Sequence, residues 1–214
     1  MQKMECKICS GEAKTIYDCQ FDINYYCCPS CDFIFIDELK IISPEKEKES
    51  YSLHNNTPDN EGYVNMFRDF IEKSVAPYQK RIKTALDFGC GPGPVLAALL
   101  KEKGFQVDIY DKYFAPEKVY QNKKYDLITA TEVMEHLKDP LKTLKLLKEH
   151  LNTNGILAIM TLFHPQDEEK FKDWWYRRDL THISFYTPKT FEFIAKQLGM
   201  KVLMSDEKRE CVLG

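Results

Sequence analysis

Apolar positions follow three different patterns along this chain, and each predicts a different kind of element. Between residues 84 and 162 they come in short, nearly continuous runs: Thr84-Ala-Leu-Asp-Phe88, Gln106-Val-Asp-Ile-Tyr110, Tyr125-Asp-Leu-Ile-Thr-Ala-Thr131 and Gly155-Ile-Leu-Ala-Ile-Met-Thr-Leu162. Strands covered on both faces read this way, because neither face meets water. Helical segments separate them. Val95-Leu-Ala-Ala-Leu-Leu100 is stopped by Gly104, Glu132-Val-Met-Glu-His-Leu137 reads as a further helical piece, and Asp139-Pro140 caps a helix through Leu151. Thr187-Pro188 opens another helix that Gly199 closes, and Met200–Met204 and Glu210–Leu213 read as closing strands. Strands alternating with helices predict an α/β, doubly wound, mostly parallel sheet.

Upstream the pattern changes. Tyr63, Met66, Phe67, Phe70 and Ile71 recur at helical spacing between Glu61 and about Val75, one apolar stripe that suits packing on the sheet. The same helix has a second possible use as a cover over a ligand, with Tyr51 or Tyr63 near it. Residues 41–60 combine the charged run Ser43–Ser50 with the turn formers of His54–Asn60, which predicts a linker; His54 carries no case for catalysis. Before the linker, Lys14–Tyr26 and Phe33–Ile36 predict short strands. The chain thus divides into a small unit over 1–40 and an α/β domain over 61–214.

With 214 residues, 43% of them hydrophobic, there is room for one such domain and a small appendage. A net charge of −3 provides no general basic field, so nucleic acid is not expected as a partner. No apolar run approaches the roughly 18 residues of a membrane helix, and Met1-Gln-Lys-Met-Glu-Cys6 lacks the apolar core of a signal peptide, so a cytoplasmic protein with no membrane partner is expected. Eight cysteines change the picture most. Cys6-Lys-Ile-Cys9 and Cys28-Pro-Ser-Cys31 form a C-x2-C-x18-C-x2-C pattern, which places four thiolates for tetrahedral Zn²⁺ with no position left for substrate. A unit this small needs metal binding as folding free energy. Cys27 is an alternative to Cys28 by a one-residue slip, Cys19 is a spare, and four reduced structural thiols are the bland alternative.

Candidate chemistry clusters at the ends of the buried runs. In Asp87-Phe-Gly-Cys-Gly-Pro-Gly93 the alternating Gly89, Gly91 and Gly93 let the backbone turn sharply and approach a ligand, and Pro94 suits a first helical turn. The third glycine comes one residue early for a dinucleotide fingerprint. Asp111 ends the next strand, where a carboxylate can bond ribose hydroxyls or simply cap a turn, and Thr131 ends the third run. Glu132, Glu135 and His136 stand at i, i+3 and i+4, one face of a helix.

Leu86-Asp-Phe-Gly-Cys-Gly-Pro-Gly93, Asp111, Glu132-Val-Met-Glu-His-Leu-Lys-Asp-Pro140 and Thr181-His-Ile-Ser-Phe-Tyr-Thr-Pro188 together resemble the successive motifs of the Rossmann-like S-adenosylmethionine (SAM)-dependent methyltransferases, including those of ubiquinone biosynthesis. The resemblance covers about residues 60–214. A zinc ribbon in front is similar to some deoxysugar C-methyltransferases and a ribosomal-RNA guanine methyltransferase. It implies a seven-stranded sheet of order 3-2-1-4-5-7-6, SAM held by Asp87, Phe88, Gly89, Cys90, Gly91, Gly93, Asp111 and Thr131, and methyl transfer to a small-molecule hydroxyl, amine or activated carbon. Only 14 residues separate Asp111 from Asp126, so the third strand and its helix are expected to be degenerate or absent. Glu132, Glu135, His136 and the later His182 are similar to a catalytic set that either binds a second divalent cation or supplies a histidine base. The blander readings give Glu132 to the donor's amino end, leave Glu135 in solvent and use His136 for packing. Phe163–Asp179 falls where such folds carry a substrate cap, and Trp174, Trp175, Tyr176, Arg177 and Arg178 could hold a flat or sugar-like, anionic acceptor, or just pack under a loop. A zinc-ribbon interaction module that senses SAM with little turnover, and an RNA methyltransferase, are the alternatives.

Overall fold

A computed structural model describes residues 4–53 and 56–214; His54 and Asn55 lie outside the described residues. From the N-terminus, Met4–Glu5 (β1), Glu12–Asp18 (β2), Ile23–Cys27 (β3) and Ile34–Ile36 (β4) pair antiparallel in sequence order. Two turns of the same design interrupt them. Ser10 N and Asp32 N donate to the Cys6 and Cys28 carbonyls, and Cys6 N and Cys28 N donate to the Gly11 and Phe33 carbonyls. Ser10 and Asp32 both take positive φ, 58° and 59°. This equivalence makes Cys28, not Cys27, the partner of Cys31.

The expected linker contains a helix, Pro44–Ser52 (α1), capped by the Ser43 side chain. Glu61–Phe70 (α2) follows, capped by Asn60, and a wide turn over Ile71–Val75 extends its apolar stripe. The buried runs then form Thr84–Phe88 (β5), Val95–Glu102 (α3), Gln106–Tyr110 (β6), Tyr125–Thr131 (β7), Pro140–Glu149 (α4) and Leu151–Met160 (β8). Glu168–Asp173 (α5), Ser184–Phe185 (β9), Pro188–Leu198 (α6), Val202–Ser205 (β10) and Glu210–Leu213 (β11) complete the chain.

The main sheet has the order β10-β11-β8-β7-β5-β6, parallel except at β11 and β10. This is the implied family order with its third strand missing, because residues 112–124 form turns closed by an Asp111–Ala115 bridge. Alternate residues of each strand serve opposite layers. Ala85, Leu127 and Ile156 face α2 and α3, while Leu86, Ile128 and Leu157 face α4 and α6. Among the described residues no helix is long and apolar enough to cross a membrane.

Two departures matter for the site. The 132–137 stretch is not a regular helix: Glu132 has φ 53° and only a single tight turn, Met134–His136, follows. The left-handed residue arrests helix propagation, so the i, i+3, i+4 face does not exist. Second, β9 pairs with β4 (Ile34 with Phe185, Phe35 with Ser184) and becomes the fifth strand of the N-terminal sheet.

Candidate functional site

The glycine turn leaves β5 and curls over the end of β6, with Gly89 N and Cys90 N donating to the Tyr110 carbonyl at 2.7 and 3.2 Å. Gly89 (φ 79°) needs its missing side chain twice over, since a Cβ there would lie 2.3 Å from Val133 Cγ2. At Gly93 a Cβ would lie 1.9 Å from the Asn56 carbonyl, so that glycine admits the chain from α1 to α2 instead of lining the cavity. Asp87 is buried beneath the turn, accepts from the Thr129 hydroxyl at 2.9 Å, and is pushed up to about 6 by burial. Asp111 Oδ2 accepts from Gly91 N at 3.1 Å, and its Oδ1 from Tyr113 N and Phe114 N at 2.8 and 3.0 Å. Of about four acceptor positions on a carboxylate, three are used and Oδ2 keeps one.

These residues border a cavity of about 510 Å³ at the carboxyl ends of β5, β6 and β7. Crevices there are the usual ligand sites of open α/β sheets. Phe88, Cys90 and Thr131 also line it, and its outer wall is Tyr51, Asn56, Tyr63, Met66 and Phe67. The helix stripe thus packs with Phe67 and Phe70 and puts Tyr63 on the cavity wall. Helix α1 is fastened by Glu47, which accepts from Tyr51 Oη at 2.7 Å, Tyr113 Oη at 2.7 Å and Lys112 Nζ at 2.8 Å.

At the other side of the cavity an irregular corner brings three of the expected catalytic residues together. Ligand atoms of Glu135, His136 and His182 lie within 4.8 Å of one another, and the two imidazole centres are 4.8 Å apart. Glu132 stands outside that triad but on the cavity wall, and Tyr176 Oη joins it to the corner by donating to Glu135 Oε1 and, at 3.3 Å, to Glu132 Oε2. Surrounding protein and the charge of Glu135 push the Glu132 carboxyl well up, and burial raises Glu135 against the lowering effect of the Tyr176 hydrogen bond. Glu135 Oε2 is fully buried with no hydrogen-bond partner among the described residues.

Both histidines are held in one tautomer. His136 Nδ1 lies 3.0 Å from the Thr181 carbonyl and His182 Nδ1 2.7 Å from the Tyr176 carbonyl. A carbonyl only accepts, so Nδ1 carries a proton in both rings; a neutral His136 then keeps its lone pair on Nε2, while His182 Nε2 lies 3.9 Å from Asp179 Oδ2. Burial lowers His136 to about 4, which keeps it neutral at pH 7.

The cap residues go elsewhere. Arg177 is 3% exposed and its guanidinium pairs with Asp18 and Gln20 of the N-terminal module, because the 175–178 turn packs onto that sheet. Trp174 packs on Phe171 and Phe185, while Trp175 and Arg178 face solvent. The expected cationic grip on an anionic acceptor is absent at these residues. Tyr176 in the acidic corner, Glu47 and Asn56 were not singled out by spacing, since each acts from a segment without periodicity.

The four cysteine sulfurs meet the requirement for zinc. Cys6 and Cys31 Sγ are 3.5 Å apart, Cys9 and Cys28 Sγ 3.4 Å, and all four fall within 4.8 Å. A tetrahedron with bonds of about 2.3 Å has edges of about 3.8 Å. Sulfurs this close share protons without a cation: contact with Cys31 drives Cys6 down, and contact with Cys6 drives Cys31 up.

A family model described as "Methyltransferase domain" matches residues 63–205. The chain is 28% identical over 100 residues to the ubiquinone biosynthesis O-methyltransferase of Histophilus somni (strain 2336), covering 45% of this chain and 40% of that protein. It is 30% identical over 133 residues to the protein of the same name from Pelagibacter ubique (strain HTCC1062), covering 51% and 55%. It thus spans about half the length of the curated relatives it matches. Among solved structures, an O-methyltransferase family protein from Burkholderia thailandensis aligns with a TM-score of 0.55 at 11% identity, over 78% of this chain and 62% of that one. The mitomycin 7-O-methyltransferase MmcR aligns with a TM-score of 0.54 at 13% identity, over 82% and 59%. Those likenesses establish the fold, and with the family match across most of its length the chain belongs to the methyltransferase-domain family.

Proposed function

We propose that this chain transfers a methyl group from SAM to a hydroxyl of a small molecule. The observation that carries the reading is a single cavity lined both by a glycine-rich turn with Asp111 and by two imidazoles whose Nδ1 sides are held by backbone carbonyls. SAM supplies an electrophilic methyl carbon: a lone pair on the acceptor oxygen forms the new bond as the carbon–sulfur bond breaks and S-adenosylhomocysteine leaves. The free position on Asp111 Oδ2 suits a ribose hydroxyl, and the Glu132 carboxyl on the cavity wall suits the donor's ammonium. His136 or His182 Nε2 takes the hydroxyl proton as the oxygen attacks, a role that asks for a neutral imidazole. Positioning supplies most of the remaining acceleration.

The names of the sequence relatives favour oxygen as the acceptor atom. A divalent cation on Glu135, His136 and His182 is a second reading, favoured by their convergence within 4.8 Å and the unpartnered Glu135 Oε2. Such an ion would lower the pKa of an acceptor hydroxyl. The four cysteines would hold a structural zinc. A sensor without turnover has no need of paired bases in the cavity, and RNA methylation has no support in the net charge of −3.

The test is S-adenosylhomocysteine production from SAM across a panel of phenols, catechols, sugars and amines, with chelator and with added Mg²⁺ or Mn²⁺. His136→Ala and His182→Ala are expected to lower turnover of a productive hydroxyl acceptor by about 10²–10⁴-fold. Wild-type turnover in both variants sinks the assignment of the base, and turnover only with amines sinks the assignment of the acceptor.

A further inference from the structure

Arg177 points out of the cavity and into the four-cysteine module. Its Nε–H donates to the Phe171 carbonyl at 3.0 Å, Nη1–H to Asp18 Oδ2, and Nη2–H to the Lys172 carbonyl and, at 3.3 Å, to Gln20 Oε1; the Phe21 ring lies 5.4 Å from the guanidinium carbon. Asp18, Gln20 and Phe21 all belong to the β2–β3 hairpin. The preceding residue is Tyr176, whose hydroxyl reaches Glu135 and whose carbonyl accepts from His182 Nδ1–H. On the far side of His182, Ile36 N donates to the Ile183 carbonyl at 3.1 Å and Ile183 N to the Glu135 carbonyl at 2.7 Å, immediately before β9 pairs with β4. His182 is therefore flanked in sequence by two attachments to the same module.

We infer that the four-cysteine module positions the histidine half of the site, through the Asp18–Arg177 pair on one side of His182 and the β4–β9 pairing on the other. The inference rests on the reading above that transfer takes place at that corner. The pair is poorly explained as a source of stability, because both side chains are buried (2% and 4% exposed) and such a pair is often no better than well-packed apolar residues. Its geometric consequence is specific: it sets where residues 176–182 run. Apart from Glu132, which shares Tyr176 Oη with the corner at 3.3 Å, the donor half is held by other groups, Asp87 by Thr129, Gly89 by Tyr110 and Asp111 by the 113–114 backbone. The two halves should therefore separate under perturbation. Asp18 and Arg177 touch no reacting atom and are positioning residues.

The chain has only two tryptophans, Trp174 and Trp175, and their rings lie 5.0 and 5.5 Å from Tyr176. Their emission reports the setting of Tyr176. In Asp18→Asn the expected result is a red-shifted emission, stronger acrylamide quenching, and loss of the single Nδ1–H tautomer in the ¹⁵N spectrum of His182. Calorimetric affinity for S-adenosylhomocysteine should stay within about twofold of wild type. Wild-type emission and a wild-type His182 tautomer would overturn the inference, as would a loss of ligand affinity as large as the other changes, which marks general loosening. If Asp18→Asn does not fold, Asp18→Leu combined with Arg177→Met leaves no lone buried charge and is read through the same His182 signal, changed in support or unchanged in refutation. Failure of wild type to bind S-adenosylhomocysteine would instead count against the proposed function, and leaves the emission and tautomer results to stand by themselves.

Discussion

Replacing Asp87 by asparagine should stabilise the unliganded protein while weakening its hold on the donor. The carboxyl is 1% exposed, and burial raises it from an ordinary 3.8 to about 6. A carboxyl raised in the fold leaves stability intact below its unfolded value and removes it as pH climbs through the folded value. At about 1.36 kcal/mol per pH unit, the cost carried by Asp87 is about 0.6 kcal/mol at pH 4 and about 3 kcal/mol at pH 8. Asparagine cannot ionise, and its amide oxygen still accepts from the Thr129 hydroxyl, so the variant escapes the cost. Urea unfolding of both proteins without ligand, at intervals from pH 4 to pH 8, measures the difference. Glu132, Glu135 and the cysteine cluster titrate in both proteins and drop out of it. The expected curve favours the Asp87→Asn variant increasingly with pH and flattens above pH 7, while S-adenosylhomocysteine binds the variant at least about tenfold more weakly. A difference independent of pH would refute the buried-carboxylate argument, and unchanged ligand affinity would remove Asp87 from the donor site.

Three further outcomes follow from the same geometry. Gly89→Ala should cost about 1–3 kcal/mol of stability in thermal melts and abolish the shift produced by S-adenosylhomocysteine, since a Cβ at φ 79° meets Val133 at 2.3 Å. Tyr176→Phe removes the hydroxyl that holds Glu135 down, so its cost of about 1–3 kcal/mol should be larger at pH 8 than at pH 5; equal losses at both would show that Glu135 does not ionise there. Elemental analysis should find one zinc per chain, lost in Cys6→Ser combined with Cys31→Ser, and full retention of metal in that double variant would refute the tetrahedral cysteine site.

The sheet was legible because its signal is local and repeated. Runs such as Tyr125–Thr131 are apolar on both faces, and the 14 residues after Asp111 were too few for a strand and helix, which is why β6 is the sheet edge. The acidic corner was legible in membership but not in shape. Glu135, His136 and His182 do converge, yet through a left-handed Glu132 that no helical spacing anticipates. Composition alone leaves Arg177 and Tyr176 as either acceptor contacts or packing under a loop. Their actual partners, Asp18 and Glu135, lie 159 and 41 residues away, and long-range pairs of that kind leave no trace in a periodic pattern. The expected linker hid a helix because α1 buries no apolar face and is secured by the Glu47 hydrogen bonds instead.

The central claim is that the cavity under the glycine turn takes SAM, and calorimetry with S-adenosylhomocysteine on wild type and Asp111→Ala tests it most directly. Saturable one-to-one binding to wild type is expected, with affinity reduced at least about tenfold, or about 1.4 kcal/mol, in the variant. No binding to wild type, or equal affinity in the two proteins, would contradict it.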